Sequence, residues 1–256
     1  MGVLDRFRLD GRTALVTGGT RGLGRVIAEA LASAGAAVAI SSRDEESATS
    51  AAGAIAAGFG VATAGIAADV RREADARALV DRTVEVLGGL DILVNNAGIN
   101  IRRPIEQLEE AEWDAVVDTN LKGPWLVCKA AAGALMRGGK GRVINVSSML
   151  GEVGLAERTP YCASKGGLTI LTRTLALEWA GRGVNVNALC PGPFGTEMNR
   201  PLMDDPAARA AMQARVPLGR WGEPEELGPV AVFLASDASS YMTGAVLVVD
   251  GGYTAQ

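Results

Sequence analysis

The stretch from Ser148 to Lys165 holds three side chains whose spacing suits acid–base chemistry. Tyr161 and Lys165 stand four residues apart, so on a helix the phenol and the ammonium lie on one face. A phenol is a poor acid or base at neutral pH until a cation stabilises its phenolate, and Lys165 supplies one. Ser148 would hold a carbonyl oxygen beside the phenol. These residues predict proton transfer at a carbon-bound oxygen, half of a carbonyl reduction or alcohol oxidation.

The other half of that reaction needs a hydride carrier, and the N-terminal sequence indicates a place for one. A short buried strand is predicted over Arg12 to Thr17, the glycine-rich run GGTRGLG follows at 18 to 24, and helical periodicity runs from about Leu23 to Ala34. In this order the glycines permit a tight turn and a close approach of backbone to a pyrophosphate, and the helix N-terminus faces its negative charge. A dinucleotide site is therefore predicted.

The end of the second predicted strand, Ala36 to Ser41, indicates which dinucleotide binds. NAD sites commonly carry a carboxylate near this point, whereas NADP sites use arginine for the 2′-phosphate. Here Ser42 and Arg43 follow the strand, and Arg21 lies in the glycine loop. The sequence favours NADP(H) over NAD(H). The alternative is that Arg43 only solvates the start of the next helix.

Strands and helices alternate along the next fifty residues. The pattern predicts a helix over Asp44 to Ala57, a strand over Val61 to Ala67, a helix over Glu73 to Leu87 and a strand over Leu90 to Val94. Such alternation implies a parallel sheet with right-handed crossovers. We expect an α/β chain whose residues 1–256 form one dinucleotide-binding domain, a Rossmann-type doubly wound sheet with helices on both faces.

Two polar segments follow predicted strands, where such sheets bind their ligands. Asp69 would accept a hydrogen bond from the adenine amino group, and the small residues and amides of Asn95 to Gly98 suit a backbone beside the cofactor ribose. The next helix, Ala111 to Arg137, contains Asn120 and then Lys122-Gly123-Pro124. These are poor interior residues, so we expect a kink or an opening there.

The C-terminal third continues the pattern. Strands are predicted over Val184 to Leu189 and Ala245 to Val249, with a helix from Arg220 to Ala235 between them. Pro191 to Val216 is predicted to be a loop with short helices, suited to a mobile lid over the substrate.

Composition excludes several functional classes. A net charge of −4 over 256 residues gives no electrostatic footprint for nucleic acid or an anionic membrane. No apolar run is long enough to span a bilayer and the first residues lack the core of a signal peptide, so we expect a soluble cytoplasmic protein. The absence of histidine excludes Ser-His-Asp catalysis. Cys128, Cys162 and Cys190 are interpreted as buried thiols.

Taken together, these motifs resemble the short-chain dehydrogenase/reductase family in order and spacing, over essentially the whole chain. The motifs are TGGTRGLG at 17–24, NNAG at 95–98, Asn120, Ser148, YCASK at 161–165 and PGPFGT at 191–196. The resemblance makes Tyr161 the general acid/base. Lys165 would lower the tyrosine pKa and bind the nicotinamide ribose. Ser148 would orient the substrate oxygen, and Asn120 would hold a water that links Lys165 to solvent.

The motifs and the resemblance together assign a full cofactor-binding set, in which Thr196 and the backbone near Phe194 hold the nicotinamide carboxamide. This set is Gly18, Thr20, Arg21, Gly22, Leu23, Gly24, Ser42, Arg43, Asp69, Val70, Asn96, Ala97, Gly98, Tyr161, Lys165, Pro191, Gly192, Phe194 and Thr196. Family members of this length are usually homotetramers, so the resemblance also implies that assembly.

Within the family, the segments around 95–104, 147–154, 159–167 and 220–227 look most like gluconate 5-dehydrogenases and 2-deoxygluconate 3-dehydrogenases. The substrate set expected from this resemblance is Arg102, Arg103, Ser148, Met149, Arg158, Pro193 and Met198. The three arginines would pair with a sugar-acid carboxylate, since arginine suits bidentate carboxylate recognition. The alternative is that they are surface or subunit-contact residues.

Three other functions share these motifs. A 3-oxoacyl-carrier-protein reductase would use the same catalytic residues, with a basic patch formed by Lys129, Arg137, Lys140 and Arg182. The ending DGGYTAQ resembles bacterial NADP-dependent secondary alcohol dehydrogenases, some of which bind magnesium, so Gln256 is a candidate ligand; no other metal ligand is expected. A dinucleotide-binding regulator without turnover is the remote alternative.

Overall fold

The computed structural model describes residues 2–255. The strands form one seven-stranded parallel sheet in the order β3-β2-β1-β4-β5-β6-β7. Their bounds are β1 Thr13–Thr17, β2 Ala37–Ser42, β3 Thr63–Ala67, β4 Ile92–Asn95, β5 Gly141–Val146, β6 Val184–Pro191 and β7 Val246–Val249. This is the predicted Rossmann-type α/β domain, with the reversal of strand order between β1 and β4 where such sheets bind their ligands.

Helices cover both faces of the sheet, which explains why the central strands are continuous apolar runs. Helices α1, α2 and α9 pack on one face, and α3, α5 and α6 pack on the other. The helices of the described residues are α1 Gly22–Ser33, α2 Glu45–Phe59, α3 Glu73–Leu87, α4 Glu110–Val117, α5 Gly123–Arg137, α6 Thr159–Trp179, α7 Arg200–Met203, α8 Pro206–Gln213 and α9 Gly228–Ala235.

The helix predicted over 111–137 is interrupted, as its poor helix formers indicated. A π-helical turn over Asp118–Lys122 separates α4 from α5 and contains Asn120, and Pro124 lies in the first turn of α5. Proline lacks the N–H that a continuous helix needs, so the chain opens just before it. The helix predicted from 220 begins later, at Gly228, because a capping box formed by Glu223 and Glu226 starts a separate 3₁₀ turn first.

The predicted lid segment contains three short helical pieces after β6, as expected. A 3₁₀ turn over Glu197–Asn199 leads directly into α7, and α8 follows. Within the described residues, no helix is both long and apolar enough to cross a membrane.

Candidate active site

Helix α6 and strand β5 bring the three acid–base candidates together. Tyr161 lies in the first turn of α6, and Lys165 lies one turn later on the same face. The Lys165 ammonium is buried, donates a 2.7 Å hydrogen bond to the Val146 carbonyl at the end of β5, and lies 5.6 Å from the centre of the Tyr161 ring. Ser148 stands two residues beyond β5, where its hydroxyl meets the phenol.

The neighbouring serines have different roles in the structure. The Ser147 hydroxyl donates to the Lys165 backbone carbonyl at 2.9 Å, so it ties β5 to α6. The Ser148 hydroxyl accepts from the Leu150 amide at 3.1 Å and interacts with the Tyr161 phenol. Ser148 is therefore the serine placed to hold a substrate oxygen.

Burial dominates the titration of both central groups. It raises the pKa of Tyr161 above its ordinary value, while the hydrogen bond with Ser148 and the charge of Arg102 act in the opposite direction. Burial also lowers the pKa of Lys165 to about 8. The lowering of the Tyr161 pKa by Lys165 stays a prediction, and burial of the phenol acts in the opposite direction because it disfavours the phenolate.

Asn120 is fully buried in the π turn, and its side chain is held on both sides. The amide nitrogen donates to the Ile99 carbonyl at 2.9 Å and to the Ser164 hydroxyl at 3.2 Å, and the amide oxygen accepts from the Ile99 N–H at 2.8 Å. Gly98 lies next to both Asn120 and Lys165. A Cβ at Gly98 would lie 3.2 Å from the Asn120 side-chain oxygen and 3.6 Å from the Lys165 ammonium nitrogen. Asn120 thus fixes the loop beside the lysine.

The glycine loop packs tightly against the NNAG segment. The Asn96 amide donates to the carbonyls of Thr17 and Gly18 at 3.0 and 2.9 Å, and the Thr17 hydroxyl accepts from the backbone N–H groups of Asn96 and Ala97. A Cβ at Gly24 would overlap both the Asn96 amide and the Gly18 carbonyl. Only glycine fits there, so the loop is held in one shape.

The other side of this loop is open, as a dinucleotide requires. Among the described residues, a Cβ at Gly22, the first residue of α1, would meet nothing within 4 Å, and the N-cap residue Arg21 makes no capping hydrogen bond with its side chain. The N–H groups of the first turn are thus left for a ligand, and the positive end of the helix favours a pyrophosphate. The residues present fit a bound dinucleotide, with Thr20 on the same loop and Leu23 packed against the core.

The predicted adenosine-side residues lie at the ends of β2 and β3. Ser42 ends β2, and its hydroxyl donates to the Asp44 carbonyl at 2.7 Å. Arg43 is exposed and near enough to Asp69 to lower the pKa of that carboxyl, although Arg71 does so more strongly. Both oxygens of Asp69 accept hydrogen bonds from the Arg71 side chain, so its carboxylate already has a cationic partner.

The remaining predicted cofactor residues follow β3 and β6. Val70 is buried against Gly123. Pro191 ends β6, and the Gly192 N–H donates to the Val249 carbonyl at 2.9 Å. Phe194 is buried, and its carbonyl accepts from the Thr196 N–H at 2.9 Å.

Arg21, in the glycine loop, contacts the segment predicted to be a lid. Its guanidinium contacts the carboxylate of Glu197 at 3.0 Å, and both side chains are exposed. Pro193 and Met198 lie in the same lid segment, and Met198 is exposed.

The three arginines expected at the substrate do not lie together. Arg102 and Arg158 are close enough for the charge of Arg102 to lower the pKa of Arg158, and the charge of Arg102 also lowers the pKa of Tyr161. Arg103 points elsewhere and forms an ion pair with Glu112 at 2.8 Å. The structure therefore separates Arg103 from the other two.

Arg158 is buried by an unusual turn. The preceding residue, Glu157, has a φ of 61°, in the left-handed region that side chains rarely adopt. Its carbonyl accepts from the Arg158 guanidinium at 3.0 Å and from the Arg103 N–H at 3.1 Å. The turn directs Arg158 inward and joins it to the segment that carries Arg102.

Two supporting residues, Asn145 and Tyr253, are absent from the predicted site sets, and the contact between Asn95 of the NNAG motif and Asn145 was not predicted. Asn95 and Asn145 lie on adjacent strands, and the Asn95 amide donates to the Asn145 oxygen at 2.8 Å, while the Asn145 amide donates to the Thr172 hydroxyl at 2.9 Å. A polar residue inside a buried apolar strand is the signal that would have identified them. Tyr253, near the C-terminus, is also buried beside the site and was read only as part of the tail.

No metal site is formed within residues 2–255 by three or more histidine, cysteine, aspartate or glutamate side chains. Gln256, the one candidate magnesium ligand, lies outside the described residues.

A doubly wound sheet, an uncapped helix behind a glycine loop and a Ser-Tyr-Lys cluster at the same sheet edge define a dinucleotide-dependent oxidoreductase. A sequence profile described as "Enoyl-(Acyl carrier protein) reductase" matches residues 18–254. The chain is 40% identical over 254 residues to a gluconate 5-dehydrogenase of Gluconobacter oxydans, covering 98% of this chain and 97% of the relative. It is 40% identical over 248 residues to a D-threitol dehydrogenase of Mycolicibacterium smegmatis, covering 97% and 95%.

A solved structure of a gluconate 5-dehydrogenase from Burkholderia cenocepacia, in complex with NADP and tartrate, is similar over the full length of both chains, with a TM-score of 0.96 and 43% sequence identity. The chain belongs to the short-chain dehydrogenase/reductase family. It is an oxidoreductase that acts on CH–OH groups and interconverts a secondary alcohol and a ketone.

Proposed function

We propose that this protein is an NADP(H)-dependent dehydrogenase of a sugar acid, similar in its reaction to gluconate 5-dehydrogenase. The observation that carries this proposal is the pair formed by Arg102 and Arg158 next to Tyr161. Two guanidinium groups repel each other, and burial adds a desolvation cost to both. A carboxylate on the substrate would offset both terms, and arginine binds carboxylates with directed hydrogen bonds.

The nearby carboxylate does not satisfy these arginines. Glu157 lies 3.9 Å from the Arg158 guanidinium, and its side chain is 57% exposed. Within residues 2–255, the side chain of Arg102 donates to neutral groups, the Met198 carbonyl at 3.0 Å and the Asn199 amide oxygen at 3.3 Å. The positive charge of Arg102 and Arg158 is therefore available to an anionic ligand, which favours a sugar acid over a neutral polyol.

The reaction follows from the positions of Ser148, Tyr161 and Lys165. In the oxidative direction Ser148 and Tyr161 bind the substrate hydroxyl, and the phenolate of Tyr161 takes its proton. The nicotinamide ring of the bound cofactor supplies the hydride chemistry. Lys165 provides positive charge beside the phenolate, and Asn120 fixes the loop against which the lysine lies. In reduction the same phenol returns the proton.

The preference for NADP(H) rests on the end of β2. Asp44, the nearest carboxylate, caps α2 by accepting from the Ser47 N–H at 2.8 Å, so it is directed into the helix start. Arg43 beside it is exposed and available to a 2′-phosphate. Arg43→Ser should raise the KM for NADP⁺ about 10-fold or more and leave the KM for NAD⁺ unchanged. An equal change for both cofactors would contradict the preference.

The substrate class is tested by absorbance at 340 nm with gluconate and D-threitol as paired substrates. We expect gluconate to be preferred, and Arg158→Gln or Arg102→Gln to raise its KM about 10- to 100-fold with little effect on threitol. Arg103→Gln is the comparison variant, since its guanidinium is ion-paired to Glu112. Preferential turnover of threitol, or equal losses with all three variants, would refute the carboxylate site.

Turnover itself is tested by Tyr161→Phe. This change removes the proton-transferring hydroxyl and should lower kcat by at least about 10³-fold, while NADPH binding measured by fluorescence is retained. Full activity would refute the mechanism, and a wild-type protein that binds NADPH without turnover of any secondary alcohol would favour a regulatory role.

We also infer a cytoplasmic homotetramer with a mobile lid over residues 191–216. Large apolar side chains are exposed on three helices, namely Trp113 on α4, Trp125 on α5, and Ile170 and Leu177 on α6. Exposed apolar patches of this kind favour association. Light scattering coupled to size exclusion should give four times the chain mass, and a monomer at micromolar concentration would exclude the assembly.

A further inference from the structure

Tyr253, three residues before the C-terminus, carries a buried hydroxyl with no hydrogen-bond partner among residues 2–255. Its side chain is only 5% exposed. Burying a hydroxyl without a partner costs free energy, and buried polar groups in native proteins are nearly always paired. A phenylalanine would fill the same apolar space without that cost, so the hydroxyl needs a reason.

The tail that carries Tyr253 is fixed rather than loose. Asp250 accepts hydrogen bonds from the N–H groups of Gly252 and Thr254, both at 2.8 Å, and from the Thr254 hydroxyl at 2.7 Å. Gly251 and Gly252 have φ values of 67° and 91° and lie directly against Val216 and Pro217, at the end of the predicted lid. The position of the tyrosine ring is therefore set by the fold.

The ring lies within a small apolar cluster that borders Tyr161. Its buried members are Met149, Leu150, Val216 and Tyr253. Tyr161 packs against this cluster, as does Met212 from helix α8 of the lid. Met149 directly follows Ser148, so the catalytic serine and tyrosine both border the group of side chains to which Tyr253 belongs.

The face of the Tyr253 ring is already occupied. The Arg215 guanidinium lies 4.6 Å from the ring centre, in a cation–π contact. The ring is therefore surrounded by apolar side chains and this cation. The hydroxyl at the edge of the ring has no hydrogen-bond partner among the described residues.

We propose that the Tyr253 hydroxyl is a specificity-determining group, which forms a hydrogen bond with an oxygen of the substrate other than the one that reacts. This inference rests on the proposed function, because a polyhydroxy acid carries such oxygens and a simple secondary alcohol does not. Such a hydroxyl would discriminate between substrates, because a site with a buried polar group rejects an analogue that cannot form a hydrogen bond with that group.

The test compares Tyr253→Phe with the wild type on gluconate, D-threitol and 2-butanol. Tyr241→Phe is the matched control, because Tyr241 is fully exposed. We expect Tyr253→Phe to lower kcat/KM for the better polyhydroxy substrate about 10-fold, chiefly through KM, and to leave or improve that for 2-butanol. The melting temperature without substrate should be unchanged or higher, since the variant removes an unpartnered buried group.

Other outcomes refute the inference. Equal losses on the polyhydroxy substrate and 2-butanol would mean that Tyr253 only supports the fold, and an unchanged kcat/KM on all three would mean that a bound water satisfies the hydroxyl. Either result, with gluconate still turned over by the wild type, overturns the inference alone. A wild type that turns over neither polyhydroxy compound overturns the proposed function together with it.

Discussion

Replacing Lys165 by methionine should stabilise the fold while it removes activity. Lys165 is only 4% exposed, and burial lowers the pKa of its ammonium to about 8 from 10.5. That difference corresponds to a cost of roughly 3 kcal/mol for keeping the side chain protonated in the folded state. Loss of the 2.7 Å hydrogen bond to the Val146 carbonyl costs about 1 kcal/mol. A net gain of about 2 kcal/mol remains at pH 7.

The pH dependence of this gain identifies its cause. Between pH 8 and 10.5 the unfolded chain binds a proton at Lys165 that the folded protein has released, so the free energy of unfolding of the wild type rises with pH. The free-energy cost of burying the protonated Lys165 is present in full below the pKa of Lys165 in the folded protein and disappears above its pKa in the unfolded chain. The difference between Lys165→Met and the wild type should therefore shrink as the pH rises from 7 to 10.

Urea unfolding at fixed protein concentration, without cofactor, measures this difference at each pH. Lys129→Met is the control, because Lys129 is a half-exposed lysine paired with Glu73 and should change the free energy of unfolding by less than about 0.5 kcal/mol. We expect kcat of Lys165→Met to fall at least about 10³-fold. A variant less stable than the wild type at pH 7, or a difference that does not change with pH, would refute the desolvation argument.

Two glycines and three cysteines provide further tests. Gly24→Ala should lower the free energy of unfolding by about 2 kcal/mol or more and weaken NADPH binding, because its Cβ would overlap neighbouring backbone and side-chain atoms. Gly58→Ala, at an open position of helix α2, should raise the free energy of unfolding by about 0.5–1 kcal/mol. Chemical denaturation measures both changes. With a thiol reagent, only Cys162 should react in the native protein, since burial raises the pKa of Cys128 to about 12 and of Cys190 to about 11. Cys162 is only partly buried, contrary to the expectation from the sequence. Reaction of Cys128 or Cys190 before unfolding would contradict their burial.

The fold and the central chemistry could be predicted because their signals are local. Alternating strands and helices determine a parallel sheet, and the four-residue spacing from Tyr161 to Lys165 determines a shared helix face. The poor helix formers around Asn120 likewise indicated an opening before the structure supplied the π turn. Each of these inferences needs only neighbouring residues.

The side chains that border Tyr161, Arg102 and Tyr253 among them, could not be predicted because their positions depend on contacts between separate segments of the chain. Arg102 and Arg103 are adjacent and chemically equal, and only the position of Glu112, nine residues along the chain, separates their roles. Tyr253 is far from Tyr161 in sequence, and their common cluster exists only because the lid and the tail meet. The effect of burial on the pKa of Tyr161 could not be predicted for the same reason, since burial is a property of the whole fold.

The positive charges that are buried around Tyr161 indicate the chemistry of the ligands that bind there. Lys165 and Arg158 are buried cations, and burial lowers the pKa of both. Arg102 adds a third positive charge at this edge of the sheet. Among the described residues, the carboxylate that raises the pKa of Arg158 is that of the exposed Glu157. A core selected for stability alone would neutralise or remove such charges. Their retention is explained if the bound ligands carry the opposite charge, the phosphates of the dinucleotide and the carboxylate of the substrate, so that part of the binding free energy comes from relieving repulsion already present in the protein.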